Sequence, residues 1–223
     1  MTLEDIKQHI SQWNEVRTTN QALPLLTQGI SFSITEDQFL IWEALQPETL
    51  NCYLAVEDSK IFFYITDSVT DKNESYTPGT NLIKKNLFRE VSEETPIALS
   101  LIENAVDEIS ATEAKTRILN WVLFAESWFT EIKDKATEIP RAISIPFVDL
   151  KEAFSKDVTN VTIILALNKY NEEAYKGYNM DLIVVSNSPF NTVDDTNQSF
   201  IAFYDVCRPK PPFGQSGLNL LDS

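Results

Sequence analysis

The stretch Ile118–Phe129 (ILNWVLFAESWF) constrains the fold of this chain more than any other. Wound as an α-helix at about 100° per residue, its apolar side chains cover all but a narrow arc, which holds Asn120 and Ser127. Glu126 falls inside the apolar sector. A helix that is apolar nearly all round needs cover on more than one side. It is therefore expected at the centre of the fold, sheathed by its neighbours.

The segments around it supply those neighbours. Leu3, Ile6, Ile10 and Trp13 recur at helical spacing behind Thr2, an N-cap with Asp5 three residues on, which predicts an amphipathic helix over 3–20 that ends before Pro24. Four runs follow, Ile30–Ile34, Phe39–Leu45, Leu50–Glu57 and Lys60–Asp67, separated by turn-like segments, and they read as a β-meander. In the second run Thr35-x-x-Gln38 is also a capping-box pattern, so a short helix competes there. Residues 68–81 are polar and turn-rich, a surface loop.

Thr95-Pro96 starts a helix whose apolar stripe is Ile97, Leu101, Ile102, Ala105, Val106 and Ile109. Ser110 with Glu113 then opens the long helix, which runs to about Ala136 and is stopped by Pro140. Beyond it, Ala142–Phe147, Val161–Leu167, Asp181–Ser186 and Phe200–Val206 read as strands, with a helical turn at Asp149-x-x-Glu152. Val161–Leu167 and Leu182–Val185 are apolar on nearly every residue, which predicts cover on both faces. The sum is an α+β domain: a mostly antiparallel sheet, made of an N-terminal β-meander plus C-terminal strands, packed against a long central helix and an N-terminal amphipathic helix. One domain is expected over residues 1–207, with 208–223 a Pro-rich extended tail covering a sheet edge.

Function is far less legible. Five glycines leave no phosphate-cradling loop and no dinucleotide fingerprint, so no cofactor is expected. A single histidine, His9, removes His-rich metal sites and the common histidine-based nucleophile machinery; it reads as a residue on the face of the first helix. Gly214-Gln215-Ser216-Gly217 lies in the tail rather than between a strand and a helix, so Ser216 is not read as a nucleophile. Oxygens alternate from Asp71 through Asn73 to Thr77, but Tyr76 replaces the glycine and Leu82 the glutamate of a calcium loop. No metal site is expected.

Cys52 and Cys207 sit in apolar contexts and read as buried free thiols. The N-terminus is acidic where a secretory signal is basic, and apolar runs reach only about five residues against the roughly 20 needed to span a bilayer. A cytoplasmic chain without membrane contact is the expectation.

The formal net charge of −15 is concentrated in the first half. Between Arg89 and Lys115 stand seven carboxylates, Glu90, Glu93, Glu94, Glu103, Asp107, Glu108 and Glu113, with no base among them. Such a surface repels phosphate backbones and attracts cations, which argues against nucleic acid and for a basic protein partner. Glu93, Glu94, Glu103, Asp107 and Glu108 are the expected partner-binding carboxylates. The rival class is a small-molecule pocket or active site around Glu126, walled by Trp121 and Trp128. A carboxyl on a buried helix would have a raised pKa unless a cation such as Arg89, Arg117 or Arg141 compensated it. Glu43 and Asp205 also interrupt apolar runs and read as solvent-facing strand residues. A non-catalytic interaction protein is the leading expectation.

Overall fold

A computed structural model describes residues 1–88, 109, 111–135, 138–155, 158–169, 177–187, 201–204, 208–210 and 218–221. In chain order the elements are α1 (Leu3–Val16), α2 (Ala22–Leu26), β1 (Ser31–Thr35), α3 (Glu36–Glu43), β2 (Thr49–Glu57), β3 (Lys60–Asp67), α4 (Ser68–Asn73) and β4 (Leu82–Asn86). There follow α5 (Ala111–Ile132), β5 (Ala142–Pro146), α6 (Phe147–Phe154), β6 (Asn160–Lys169), β7 (Tyr178–Asn187), β8 (Ile201–Tyr204), β9 (Arg208–Lys210) and a 3₁₀ turn at Asn219–Leu221. The chain is α+β, with α1 at its N-terminus and the long α5 between the two groups of strands.

Capping chemistry sets two of the helix starts. Thr2 Oγ1 accepts from Asp5 N at 3.2 Å while Asp5 Oδ2 accepts from Thr2 N at 2.6 Å. Thr35 and Gln38 exchange the same pair of bonds at 3.4 and 3.2 Å, so the second run begins as α3 rather than as a strand. Residues 68–73 also depart from expectation: Asp67 Oδ1 accepts from the amides of Val69 and Thr70 and caps the short helix α4. The expected helix over 96–109 and the carboxylates Glu90 to Glu108 lie outside the described residues, Ile109 excepted.

The sheet read from the sequence is two sheets among the described residues. One has the order β4-β3-β2-β5-β9 and the other β1-β6-β7-β8, with every pairing antiparallel. The meander is therefore β2-β3-β4, and Ile30–Ile34 supplies β1 to the second sheet. Phe88, just past β4, bridges to Ser31, with Phe88 N donating to Ser31 O at 2.8 Å and Ile30 N donating to Phe88 O at 2.9 Å. This crossing ties one sheet to the other. It requires Gly29, where an added Cβ would lie 2.7 Å from the Leu87 carbonyl carbon.

The main core lies between the sheets, because alternate residues of each strand point into it. Leu50, Cys52 and Leu54 of β2 meet Val161, Ile163 and Leu165 of β6 and Leu182 and Val184 of β7 there. Both outer faces are covered as well. Tyr53, Ala55, Phe62 and Tyr64 pack under Ile6 and Ile10 of α1 and under Leu218 and Leu220. Ile164, Ala166, Ile183 and Val185 pack under Ala114 and Ile118 of α5. That double cover explains strands that are apolar at every position rather than alternating. In the tail, Arg208–Lys210 pairs as β9 with β5.

Helix α5 changes layer along its length. Its first half covers the outer face of the second sheet, while Trp121, Ala125, Trp128, Phe129 and Ile132 enter the main core. At the switch it passes the β6–β7 end, where Asn120 Nδ2 donates to Leu167 O at 3.3 Å and Trp128 Nε1 to Tyr178 O at 2.7 Å. The sheets pack against one another rather than around the helix. Its outer half is consequently uncovered: Leu119, Val122 and Leu123 are 41%, 58% and 67% exposed. The expectation of a central helix sheathed by its neighbours holds for the side of Trp121, Ala125 and Trp128 and is corrected for the side of Leu119, Val122 and Leu123.

Candidate functional site

The residues singled out on α5 divide between its two sides. Trp121 and Trp128 are buried, their ring centroids 5.8 Å apart. Glu126 is exposed. A residue spacing of five turns Glu126 about 140° away from Trp121, and a spacing of two turns it about 160° from Trp128. The three do not face one space. The aromatic residues of β3 also separate, with Phe63 joining the tryptophans in the main core while Phe62 and Tyr64 lie on the opposite face of their sheet.

The arginines considered for Glu126 are held elsewhere. Arg117 Nη1 lies 3.2 Å from Asp181 Oδ2 and its Nε 2.9 Å from Glu113 Oε1. Arg141 Nη2 donates to Leu221 O at 2.9 Å. Glu43, half-buried on α3, faces Lys151 at 3.8 Å. Arg89, Asp205, Cys207 and Ser216, with Glu93, Glu94, Glu103, Asp107 and Glu108, lie outside the described residues. Cys52 is a free, fully buried thiol.

Two polar clusters were not legible in the sequence. The first centres on Asp71, which is fully buried in α4. Its Oδ2 accepts from the Tyr53 hydroxyl and from Asn51 Nδ2 at 2.6 Å, and its Oδ1 accepts from the Tyr76 hydroxyl at 2.6 Å. Asn51 Oδ1 accepts in turn from Ser144 Oγ at 2.7 Å, and Asn219 Nδ2 donates to the Asp71 carbonyl at 2.9 Å. The donors reaching this carboxyl are neutral. Burial pushes it above the usual carboxylate range, and the hydrogen bonds oppose that shift. Asp71 lies in a run of polar residues, a pattern that ordinarily marks solvent, so the sequence carried no sign of its burial.

The second cluster includes His9. Its Nδ1 shares a 2.9 Å hydrogen bond with the Tyr64 hydroxyl, which also lies 2.9 Å from Met1 Sδ. Its Nε2 lies 3.5 Å from Glu57, and Lys84 hydrogen-bonds the same carboxylate, holding it below its ordinary pKa. Glu57 and Lys84 reach an open groove of about 690 Å³ beside the β2–β3 turn, lined also by Gln28, Lys60, Phe62 and Leu87. His9 and Tyr64 do not line it. At its edge the Gln28 side-chain amide stands in for a neighbouring strand: Nε2 donates to Ser59 O at 2.7 Å and Oε1 accepts from Ile61 N at 3.0 Å.

Among the described residues no group of three or more His, Cys, Asp and Glu side chains is placed to hold a metal ion. No described helix is long and apolar enough to cross a membrane. Comparison with known proteins finds no matching family model, curated protein or solved structure. What the fold does with its charges is the clearest chemical feature. Several of its cations are held against partners within the molecule: Arg17 Nη1 on Ile139 O at 2.8 Å, Arg117 on Asp181, Arg141 on Leu221 O, Lys84 on Glu57 and Lys135 on Glu138 at 3.2 Å, while Lys60, Lys72 and Lys169 stand exposed. Meanwhile Glu4, Glu15, Glu36, Asp37, Glu74, Glu126, Glu131 and Glu152 stand exposed.

Proposed function

We propose that this chain is a non-catalytic interaction protein that meets a basic partner through an acidic surface centred on residues 90–113. Glu93, Glu94, Glu103, Asp107 and Glu108 are the contacting carboxylates. The observation that supports the reading is the excess of carboxylates, a net charge of −15, with Glu4, Glu15, Glu36, Asp37, Glu74, Glu126, Glu131 and Glu152 exposed. The base-free stretch richest in carboxylates is the one between Arg89 and Lys115, with seven. A field of one sign steers oppositely charged partners and sets their orientation.

The test uses the full chain and a lysine-rich polypeptide as probe. Binding is measured while salt rises from 0.1 M to 1 M, which shortens the screening length from about 10 Å to about 3 Å. Affinity is expected to fall steeply over that range. Neutralising Glu93, Glu94, Glu103, Asp107 and Glu108 to their amides should weaken binding far more than neutralising Glu4, Glu15, Glu36, Glu74 and Glu152. Salt-independent binding refutes the electrostatic reading, and equal losses from the two sets refute its location.

A further inference from the structure

We propose that the outer face of the β2–β3 sheet, between α1 and α4, is a seat for a short peptide. Its ligand has the pattern aliphatic-Asn-aliphatic-aliphatic. The chain's own Leu218–Leu221 holds the seat, and a partner protein bearing that pattern displaces it. The proposal goes beyond the partner reading above and uses a different surface. Leu218 and Leu220 are 4% and 1% exposed, set among Ile6 and Ile10 of α1 and Tyr53 and Tyr64 of the sheet. Polar groups fix the register of the same residues. Asn219 Nδ2 donates to Asp71 O at 2.9 Å and to Lys72 O at 3.3 Å, both in the last turn of α4. The Leu220 amide donates to the Tyr53 hydroxyl, and Leu221 O accepts from Arg141 Nη2 at 2.9 Å. One 3₁₀ turn, closed by Leu221 N donating to Leu218 O at 3.0 Å, thus finds an apolar or polar partner at every residue.

The walls of this seat are fixed by bonds that leave the segment out. Trp13 Nε1 on Pro140 O at 3.0 Å and Arg17 Nη1 on Ile139 O at 2.8 Å tie down α1. Asp67 caps α4, and β2 pairs with β3 from Leu50 to Glu57. The Tyr53 hydroxyl is aimed by Asp71, which Asn51 and Tyr76 also hold. A seat organised before its ligand arrives loses little affinity to ordering. Short amphipathic turns anchored in apolar grooves are a recurring mode of peptide recognition. Residues 211–217 join β9 to the segment, a tether short enough to hold it at an effective concentration on the order of 1 mM. A free peptide of equal affinity therefore competes for the seat only near that concentration. A second copy gains nothing by exchange, because every seat already holds its own tethered segment. The displacing ligand is accordingly a segment of a different protein.

Fluorescence anisotropy of a labelled synthetic peptide of residues 214–223, titrated with the full chain, tests this. The Leu218→Ser/Leu220→Ser variant frees the seat from its own segment and should bind the peptide about tenfold more tightly than the parent, or better. Asn219→Ala in the chain, a milder change, should shift affinity the same way by about threefold. A peptide carrying Leu220→Ser should not bind the freed variant, and one carrying Asn219→Ala should bind it about tenfold less tightly. Binding should persist at about 1 M salt, where the contact with a basic partner is screened. Melting curves report whether each variant is folded, and sedimentation equilibrium reports its mass. Equal or absent binding by parent and freed variant, loss of the cooperative melt in the freed variant, or a Leu220→Ser peptide that binds as well as the natural one overturns the proposal. A parent dimer that Leu218→Ser/Leu220→Ser abolishes shows exchange between copies and overturns the choice of a different protein as ligand.

Discussion

Replacing Asp71 by alanine tests whether its buried cluster holds the outer layer of the β2–β3 sheet. The substitution removes an acceptor that serves three side chains. The fully buried Tyr53 hydroxyl loses its acceptor and the fully buried Asn51 amide loses one of its contacts, while the half-buried Tyr76 hydroxyl can turn to the Asp71 carbonyl or to water. Each orphaned buried donor costs about 1–3 kcal/mol, and relief of the carboxylate's own desolvation offsets part of the sum. A net loss of about 3 kcal/mol is expected, lowering the melting temperature by roughly 6–12 °C for a chain of this size. Urea unfolding can be followed by tryptophan fluorescence, since Trp13, Trp42, Trp121 and Trp128 are each 2% exposed or less.

Combining the change with Tyr53→Phe removes one of the orphaned donors. The double variant should therefore be about 1–2 kcal/mol more stable than the sum of the single losses. The pH dependence has a definite sign. Burial raises the Asp71 carboxyl, so the native state keeps its proton to higher pH than the unfolded chain does. Stability from this group is complete below the unfolded value and declines as pH rises toward the native one. The alanine variant lacks that decline, so its deficit should be larger at about pH 4.5 than at about pH 7. A variant within about 0.5 kcal/mol of the parent at both pH values refutes the argument.

Gln28→Ala removes two bonds from the β2–β3 edge and should cost about 1–2 kcal/mol in urea unfolding, and Gln28→Glu, which sets a carboxylate oxygen against the Ser59 carbonyl, should cost at least as much. Gly29→Ala forces a methyl against Leu87 and should destabilise by about 1–3 kcal/mol despite its small size. Arg117→Met removes the buried ion pair with Asp181 and should cost about 3–5 kcal/mol, with much of that recovered when Asp181→Leu is added. Glu126→Gln, on the exposed face of α5, should leave chemical unfolding unchanged to within about 0.5 kcal/mol.

The amino-acid order alone determined the α+β class, the helices α1 and α5, and most strands, because these rest on local periodicity and on caps such as Thr2 with Asp5 that need no distant partner. It also determined the acid run between Arg89 and Lys115. Where two local signals competed, as at Phe39–Leu45, the Thr35–Gln38 capping box won, since it satisfies helix-end amides in a way no strand composition can. Only the tertiary structure decided how the strands divide between two sheets, because Ile30–Ile34 has the same pattern whichever sheet accepts it. The side of α5 that meets solvent was set the same way. Leu119, Val122 and Leu123 are as apolar as Trp121 and Trp128, and what separates them is that α5 passes the β6–β7 end with one side only. Asp71 shows the converse: its burial depends on Tyr53, Asn51 and Asn219 arriving from elsewhere in the chain, and no window around residue 71 contains that information.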